Sequence, residues 1–416
     1  MAKSAIIGIL GVLLLWSVPA NMGLAAERLE DLLAEVLVRH PLIRIRDSEA
    51  RAAEAELDAA RWGRFPTISV NAETGEDGDP QLVARAEQPL WAGGRISGRI
   101  EASTARKSGA DAATEQVKLD LLRRTADTFF EILRLEGRRE AAVGNEAELQ
   151  DLLALIRRRV EARINPAADE LLARNRLSQA RNERLAIQRE LSIARTRLAK
   201  LVNRPVAELA EPQEIAIADR SRDMLETAAL DYAPERRRIL AMIDESRANK
   251  TLAAADALPT VVVGYQHRLG DREFADQERG RVYMALRMET GAGLSSLAVT
   301  RAARARILAA EAELRNHERE LSLMVESMWE EAMSWERQLE PARDMLEGST
   351  QMVESYLRQF QVGKKSWLDV LNVHREKFQA ELSLADVKHS LNKARFHLIL
   401  LSGRLTPQDL EQHHDG

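Results

Sequence analysis

The chain has 416 residues, 60 Lys and Arg against 65 Asp and Glu, and a formal net charge of −5. The charges are interspersed, so no basic patch of the kind that grips nucleic acid is present. It has no cysteine, which excludes disulfides and any lipid on an N-terminal cysteine, and leaves packing or oligomerisation as the source of stability.

At the N-terminus, Lys3 precedes an apolar run from Ala5 to Val18, with small residues around Gly23-Leu24-Ala25. This order reads as a secretory signal peptide over 1–25. The rival reading is an uncleaved anchor, but the run is short for a membrane span and Pro19 follows it directly. No later stretch approaches eighteen apolar residues, so no transmembrane helix is predicted in the mature chain. Aromatics make up only 4%, and abundant Ala, Leu, Arg and Glu predict long helices.

An amphipathic helix is predicted from about Leu29 to Arg61, ending before Pro66. Two alternating segments follow. Ile68, Val70 and Ala72 alternate with polar neighbours, and Leu82, Ala84 and Ala86 do the same within 81–88. The Gly- and Asp-rich stretch 75–80 between them marks a hairpin. A long helix then runs from about Arg95 to Arg163, on the order of 100 Å at about 1.5 Å per residue. Gly137 and Gly144 predict a bend or short break within it. Asn165-Pro166 turns the chain into a returning helix with three-four spacing at Ile187, Leu191, Ala194, Leu198 and Leu201.

The same order then repeats. After a linker at 206–223, a helix is predicted from Met224 to Ala257, with Ala233-Pro234 echoing His40-Pro41. Leu258-Pro259-Thr260-Val261 echoes Phe65-Pro66-Thr67-Ile68, 193 positions on. Val261, Val263 and Tyr265 alternate against Thr260, Gly264 and Gln266, and Val282, Met284, Leu286 and Met288 face away from Arg281, Arg287 and Glu289. A second long helix covers about Ala298 to Gln361 and holds Pro341, another expected bend. Val362-Gly363-Lys364 turns the chain, and Val387, Leu391, Ala394, Leu398 and Leu401 repeat the returning helix 200 positions on. The second repeat has thus gained seven residues in a loop-bearing region, where insertion is tolerated. The repeats span 26–205 and 224–405, with β-hairpins at about 66–91 and 259–290 and tip turns at about 163–166 and 361–366; 406–416 is read as a C-terminal tail. The fold class is mainly α with a small β part.

Four strands cannot close a membrane barrel alone, because bacterial barrels have at least eight and open edges do not sit in hydrocarbon. Either several copies share a barrel, or the hairpins pack on their own helices in the periplasm. The two-fold repeat, the Phe65-Pro66-Thr67 and Leu258-Pro259-Thr260 strand entries, the segment Gln88-Pro89-Leu90-Trp91-Ala92-Gly93-Gly94-Arg95 and the turn from Phe360 to Leu371 together resemble the TolC family of outer-membrane factors over the mature length.

That resemblance implies a homotrimer with one shared 12-stranded β-barrel in outer-membrane lipid. A trimeric α-helical barrel of long coiled-coil helices continues it into the periplasm of a Gram-negative bacterium. It implies a periplasmic membrane-fusion adaptor docked on the helical tips, and an inner-membrane transporter, either an ATP-binding exporter or a proton-driven pump. Val362, Gly363 and Lys364 match the docking turn. Ala162, Arg163 and Ile164 are their counterparts, where the family usually has glycine. Asp369 and Asn372 match the entrance constriction, with one acidic ring instead of two. Asp169, Lys365 and Phe360 occupy the places of a lock that keeps the entrance closed; lysine lacks the bidentate fork of arginine, and Phe360 lacks a hydroxyl. The bland alternative is that these are solvated turn residues. Pro89, Trp91, Gly93 and Gly94 form the barrel-to-helix junction.

Enzyme readings fare badly. There is no metalloprotease HExxH, no G-x-S-x-G and no phosphate loop, no cofactor is implied, and His413-His414 reads as tail and not as a metal site. The function expected is passive export. The missing lipidation cysteine and the Lys364-Lys365 turn lean it toward type I protein secretion over small-molecule or drug efflux. A coiled-coil scaffold or adaptor without a pore is the alternative of a different class, but an adaptor would carry one helical hairpin and a lipoyl-like β domain.

Overall fold

The computed structural model describes residues 26–74, 80–212, 215, 221–269, 280–288 and 295–414. The signal-peptide reading of 1–25, the hairpin stretch 75–79 and the middle of the linker lie outside the described residues.

Each repeat opens with two helices where one is expected: α1 (Leu29–Arg39) and α2 (Pro41–Trp62) in the first, α5 (Arg222–Tyr232) and α6 (Pro234–Ala255) in the second. The echoed X-Pro pairs are the reason. His40 is extended at ψ 129, its Nδ1 accepts from the Leu42 N–H at 3.2 Å, and Pro41 starts the next helix. A residue before proline is pushed out of the helical region, whereas proline suits a first helical position. The landmark inside the predicted helix is therefore its boundary.

Two strands follow in each repeat, β1 (Thr67–Thr74) and β2 (Pro80–Trp91), then β3 (Thr260–Leu269) and β4 (Gly280–Arg287). They make one antiparallel sheet in the order β1-β2-β3-β4, so β1 and β4 are its edges. The long helices α3 (Arg95–Glu161) and α7 (Ser295–Gln361) have 67 residues each. Strand starts Thr67 and Thr260 are 193 apart, and helix starts Arg95 and Ser295 are 200 apart. The seven extra residues thus fall between the start of β3 and the start of α7.

Neither long helix breaks. Helical structure continues through Gly137, Gly144 and Pro341. Gly137 serves packing instead: a Cβ there would lie 3.2 Å from the Ala385 Cβ, so glycine lets α3 and the returning helix approach closely. Pro341 removes one N–H from a helix held mainly by tertiary packing.

The returning helices are α4 (Ala167–Val202) and α8 (Trp367–Leu401). The main core joins α1, α3, α4 and α8 through Leu32, Leu33, Leu122, Phe129, Phe130 and Leu198, with Phe129 and Phe130 edge to face at 5.5 Å. Arg204 closes this end: its guanidinium reaches Glu27 at 2.9 Å and Glu35 at 2.7 Å. The expected tail at 406–416 instead carries α9 (Pro407–His414), which packs on α1 and buries Leu410 in the core.

Candidate functional site

The tips. The two helical turns are built alike. Arg163 takes φ 60 and Gly363 takes φ 75 at equivalent positions, so arginine adopts in the first repeat the left-handed turn that glycine adopts in the second. The following backbone bonds match: Ile164 N–H to Arg159 O at 2.8 Å, and Lys364 N–H to Gln359 O at 2.9 Å. Ala162, Arg163 and Ile164, like Val362, Gly363 and Lys364, are exposed, and no atom lies within 4 Å of where a Gly363 Cβ would stand. The two tips thus present equivalent backbones and different side chains.

Behind the turns lies a compact apolar cluster of Leu149, Leu152, Ile156, Leu177, Phe360 and Trp367. Phe360 is buried within it, 5.3 Å from the Trp367 ring and under the Arg159 guanidinium at 4.6 Å. The Trp367 indole donates to the Asp169 carbonyl at 3.1 Å, tying the second hairpin to the first. That tie joins residues 198 positions apart and was not legible in the sequence.

Asp369 completes a capping box: it accepts from Ser366 N at 2.9 Å and Ser366 Oγ at 2.8 Å, while Ser366 Oγ accepts from Asp369 N at 3.1 Å. The Ser366 backbone bond, then its hydroxyl, hold the Asp369 carboxyl below the usual carboxylate range. Asn372 stands one turn further, partly exposed. The structure does not join Asp169 to Lys365 within one chain. Asp169 accepts from Asn165 at 2.8 Å, and the Lys365 ammonium sits 4.2 Å over the Tyr356 ring. Tyr356, one helical turn before Phe360, is the hydroxyl-bearing aromatic at this place; its partner is a lysine nine positions on, a spacing that no helical period flags.

Further from the tips, Glu148 on α3 accepts from two residues of α8, His374 Nε2 at 2.8 Å and Lys377 Nζ at 2.5 Å. The His374 hydrogen bond and the Lys377 charge hold its carboxyl down at about 2.

The sheet. Register sorts the strand residues into two faces. One carries Ile68, Val70, Leu82, Ala84, Ala86, Val261, Val263, Tyr265, Val282, Met284 and Leu286; the other carries Ser69, Asn71, Arg85, Glu87, Gln266, Arg268, Arg281, Tyr283 and Arg287. In a water-soluble protein the apolar face is covered. Here it is bare: Ile68 is 77%, Val282 70% and Leu286 69% exposed, whereas Val83 and Val262 on the polar face are 2% and 5% exposed. On the polar face the Arg287 guanidinium meets both Glu87 oxygens at 2.7 and 2.6 Å, and the Tyr283 hydroxyl donates to Glu87 as well.

The junction. The β2–β3 register shifts between Pro89 and Trp91, placing the proline at an irregularity, where its missing N–H is tolerated. Gly93 (φ 58) and Gly94 (φ 90) then swing the chain into α3. A Cβ on Gly93 would fall 2.8 Å from the Leu258 Cβ, so glycine is required both by backbone and by the approach of the second repeat.

The comparisons follow this geometry. The chain is similar to the outer-membrane channel OprN at 22% identity and TM-score 0.79, covering 90% of this chain and 89% of that one. It is similar to the outer membrane protein VceC from Vibrio cholerae at 16% identity and TM-score 0.79, covering 90% and 96%. It is also similar to the open state of the Neisseria gonorrhoeae MtrE outer membrane channel at 16% identity and TM-score 0.73, covering 90% and 89%. At these identities the likeness speaks to fold. No curated protein sequence matches the chain. A family model does, described as outer membrane efflux protein, over residues 32–204 and 227–404, one segment in each repeat. Covering most of both halves, that match places the chain in the outer membrane efflux protein family.

Proposed function

We propose that three copies of this outer-membrane channel protein close one β-barrel and one helical tunnel, forming a passive duct from periplasm to exterior. The observation that carries the reading is the inverted sheet: an apolar face bare of covering protein, backed by a charged one, with both edges β1 and β4 unpaired among the described residues. Such a sheet is satisfied when lipid meets the apolar face, water meets the polar one, and each β4 pairs with the β1 of the next copy. Twelve strands then leave no edge. Exposed Leu308 and Leu323 on α7, and Leu185 and Ile193 on α4, supply apolar surface for the helical seam between copies.

At the far end, the matched left-handed turns suit a periplasmic adaptor that reads both tips, with an inner-membrane transporter supplying the energy. Asp369 and Asn372 form the entrance, with Asp169, Lys365 and Tyr356 around it. Protein secretion is the preferred cargo class, on the absence of a lipidation cysteine and the Lys364-Lys365 turn; the family's description as an efflux protein favours small-molecule export as the second reading.

The test is membrane fractionation with chemical crosslinking and gel migration before and after heating. A heat-modifiable trimer in the outer membrane is expected; a soluble periplasmic monomer sinks the reading. Export assays beside an ATP-binding exporter and beside a proton-driven pump separate the two cargo classes.

A further inference from the structure

We propose that α7 of one copy packs against α2 of the next copy in the register in which α3 packs against α6 within each chain, with Arg306 facing Glu49 and Glu56 across that seam. The inference rests on the reading of a barrel closed by three copies.

The helices joined to the strands follow the strand order. α2 packs on α3, α3 on α6 and α6 on α7, as β1 pairs with β2, β2 with β3 and β3 with β4. Pairing β4 with β1 of the next copy therefore brings α7 beside the next copy's α2, a head-to-tail contact that closes into a ring. The duplication supplies its register. Arg95 of α3 and Ser295 of α7 are 200 positions apart, and Pro41 of α2 and Pro234 of α6 are 193 apart. Each residue of the α3–α6 contact thus has a counterpart at the seam between copies.

Within the chain that contact is close. Gly98, Ala102 and Ala105 of α3 are buried, as are Ala241 and Ala248 of α6. A Cβ on Gly98 would lie 3.2 Å from Leu252 Cδ2, and one on Gly109 would lie 3.6 Å from the Ala241 Cβ. The counterparts on α7 are Ala298, Ala302, Ala305 and Ala309; on α2 they are Ser48, Ala52, Ala55 and Ala59. All are small, and all are exposed in the single chain. The charges fit the same register. Arg106 of α3 reaches Glu245 of α6 at 2.7 Å. Its counterpart on α7 is again an arginine, the exposed Arg306, and the counterpart of Glu245 is Ala52. Exposed Glu49 and Glu56 lie about one helical turn to either side of Ala52 on the same helix face. Complementary charge at such a seam fixes register and excludes wrong partners.

The chain has no cysteine, so introduced pairs report without background. Ser48→Cys/Ala309→Cys occupies the counterparts of Ala241 and Gly109, whose Cβ separation falls in the range of about 3.5–4.5 Å that a disulfide spans. After oxidation the double variant should run as a covalent trimer on denaturing gels and revert to monomer with reductant. Ala55→Cys/Ala309→Cys shifts the pair by about 10 Å along α2 and should cross-link about tenfold less. The single variants Ser48→Cys and Ala309→Cys should resist a maleimide in the assembled trimer and react once heating has released the monomer. A trimer in which the in-register pair stays uncross-linked, or in which the shifted pair cross-links equally, overturns the seam. Ready labelling of the single variants within the trimer overturns it as well. A wild-type protein that is monomeric in the membrane refutes the shared barrel itself and is thereby told apart from failure of the seam.

Discussion

Replacing Trp367 with alanine should open the periplasmic tips while leaving the rest of the molecule closed. Trp367 is 2% exposed, lies against Phe360 and donates its indole N–H to the Asp169 carbonyl, so one side chain fastens the start of α8 to the start of α4. A buried tryptophan removes about 150–250 Å² from water. At about 25 cal/mol per Å² that is roughly 4–6 kcal/mol, close to the range of about 3–5 kcal/mol for buried Trp→Ala changes. A local loss of about 4 kcal/mol corresponds to about a thousandfold in the opening equilibrium. Amide hydrogen exchange reads this directly, since local opening sets protection. Peptides spanning 162–171 and 356–371 should exchange up to about a thousandfold faster, while those around Phe129 and Phe130 keep their rates because that core shares no contact with the tip. Trp367→Phe retains the ring and loses the donor, a cost of about 0.5–1.5 kcal/mol, or about tenfold at most. Unchanged tip exchange in the alanine variant, or a uniform rise along α3, would refute the claim that this indole ties the hairpins.

Three further expectations follow from the same region. Gly363→Ala should cost about 1–2 kcal/mol through its left-handed backbone alone, because open space surrounds the site; Gly363→Trp should abolish export yet leave trimer assembly on gels intact, and normal export in that variant removes the tip from the docking surface. Asp369→Asn should weaken cation preference in bilayer recordings and Asp369→Lys should invert it, with the effect fading as salt rises; wild-type selectivity in the lysine variant leaves Asp369 as a helix cap only. Glu148 has a folded-state carboxyl depressed to about 2, so its contribution is present above the ordinary carboxylate range and is lost as pH falls toward about 2. Thermal midpoints of wild type and Glu148→Gln should therefore differ near neutral pH and converge near pH 2; a constant gap across that window contradicts the pairing with His374 and Lys377.

What the sequence determined by itself is whatever depends on local period and backbone chemistry. The duplication, two helices of about 100 Å, four alternating strands and the turn glycines were all legible, because side-chain direction repeats every two or 3.6 residues and only a few residues tolerate a left-handed turn. Even Arg163, which lacks that tolerance, was located by its offset from Gly363. The helix boundaries at Pro41 and Pro234 were visible as an echoed motif but read as interior landmarks, although the proline effect that sets them is local. Tertiary structure alone decided which partners meet across nearly two hundred residues: the Trp367 bond to Asp169, Glu87 with Arg287 and Tyr283, Gly93 under Leu258, and α9 on α1. It also decided that Gly137 would join two helices and that Phe360 would be core, with Tyr356 beside Lys365 in its stead. These outcomes depend on how separate elements approach, and contact between distant elements leaves no periodic trace in the chain that carries them.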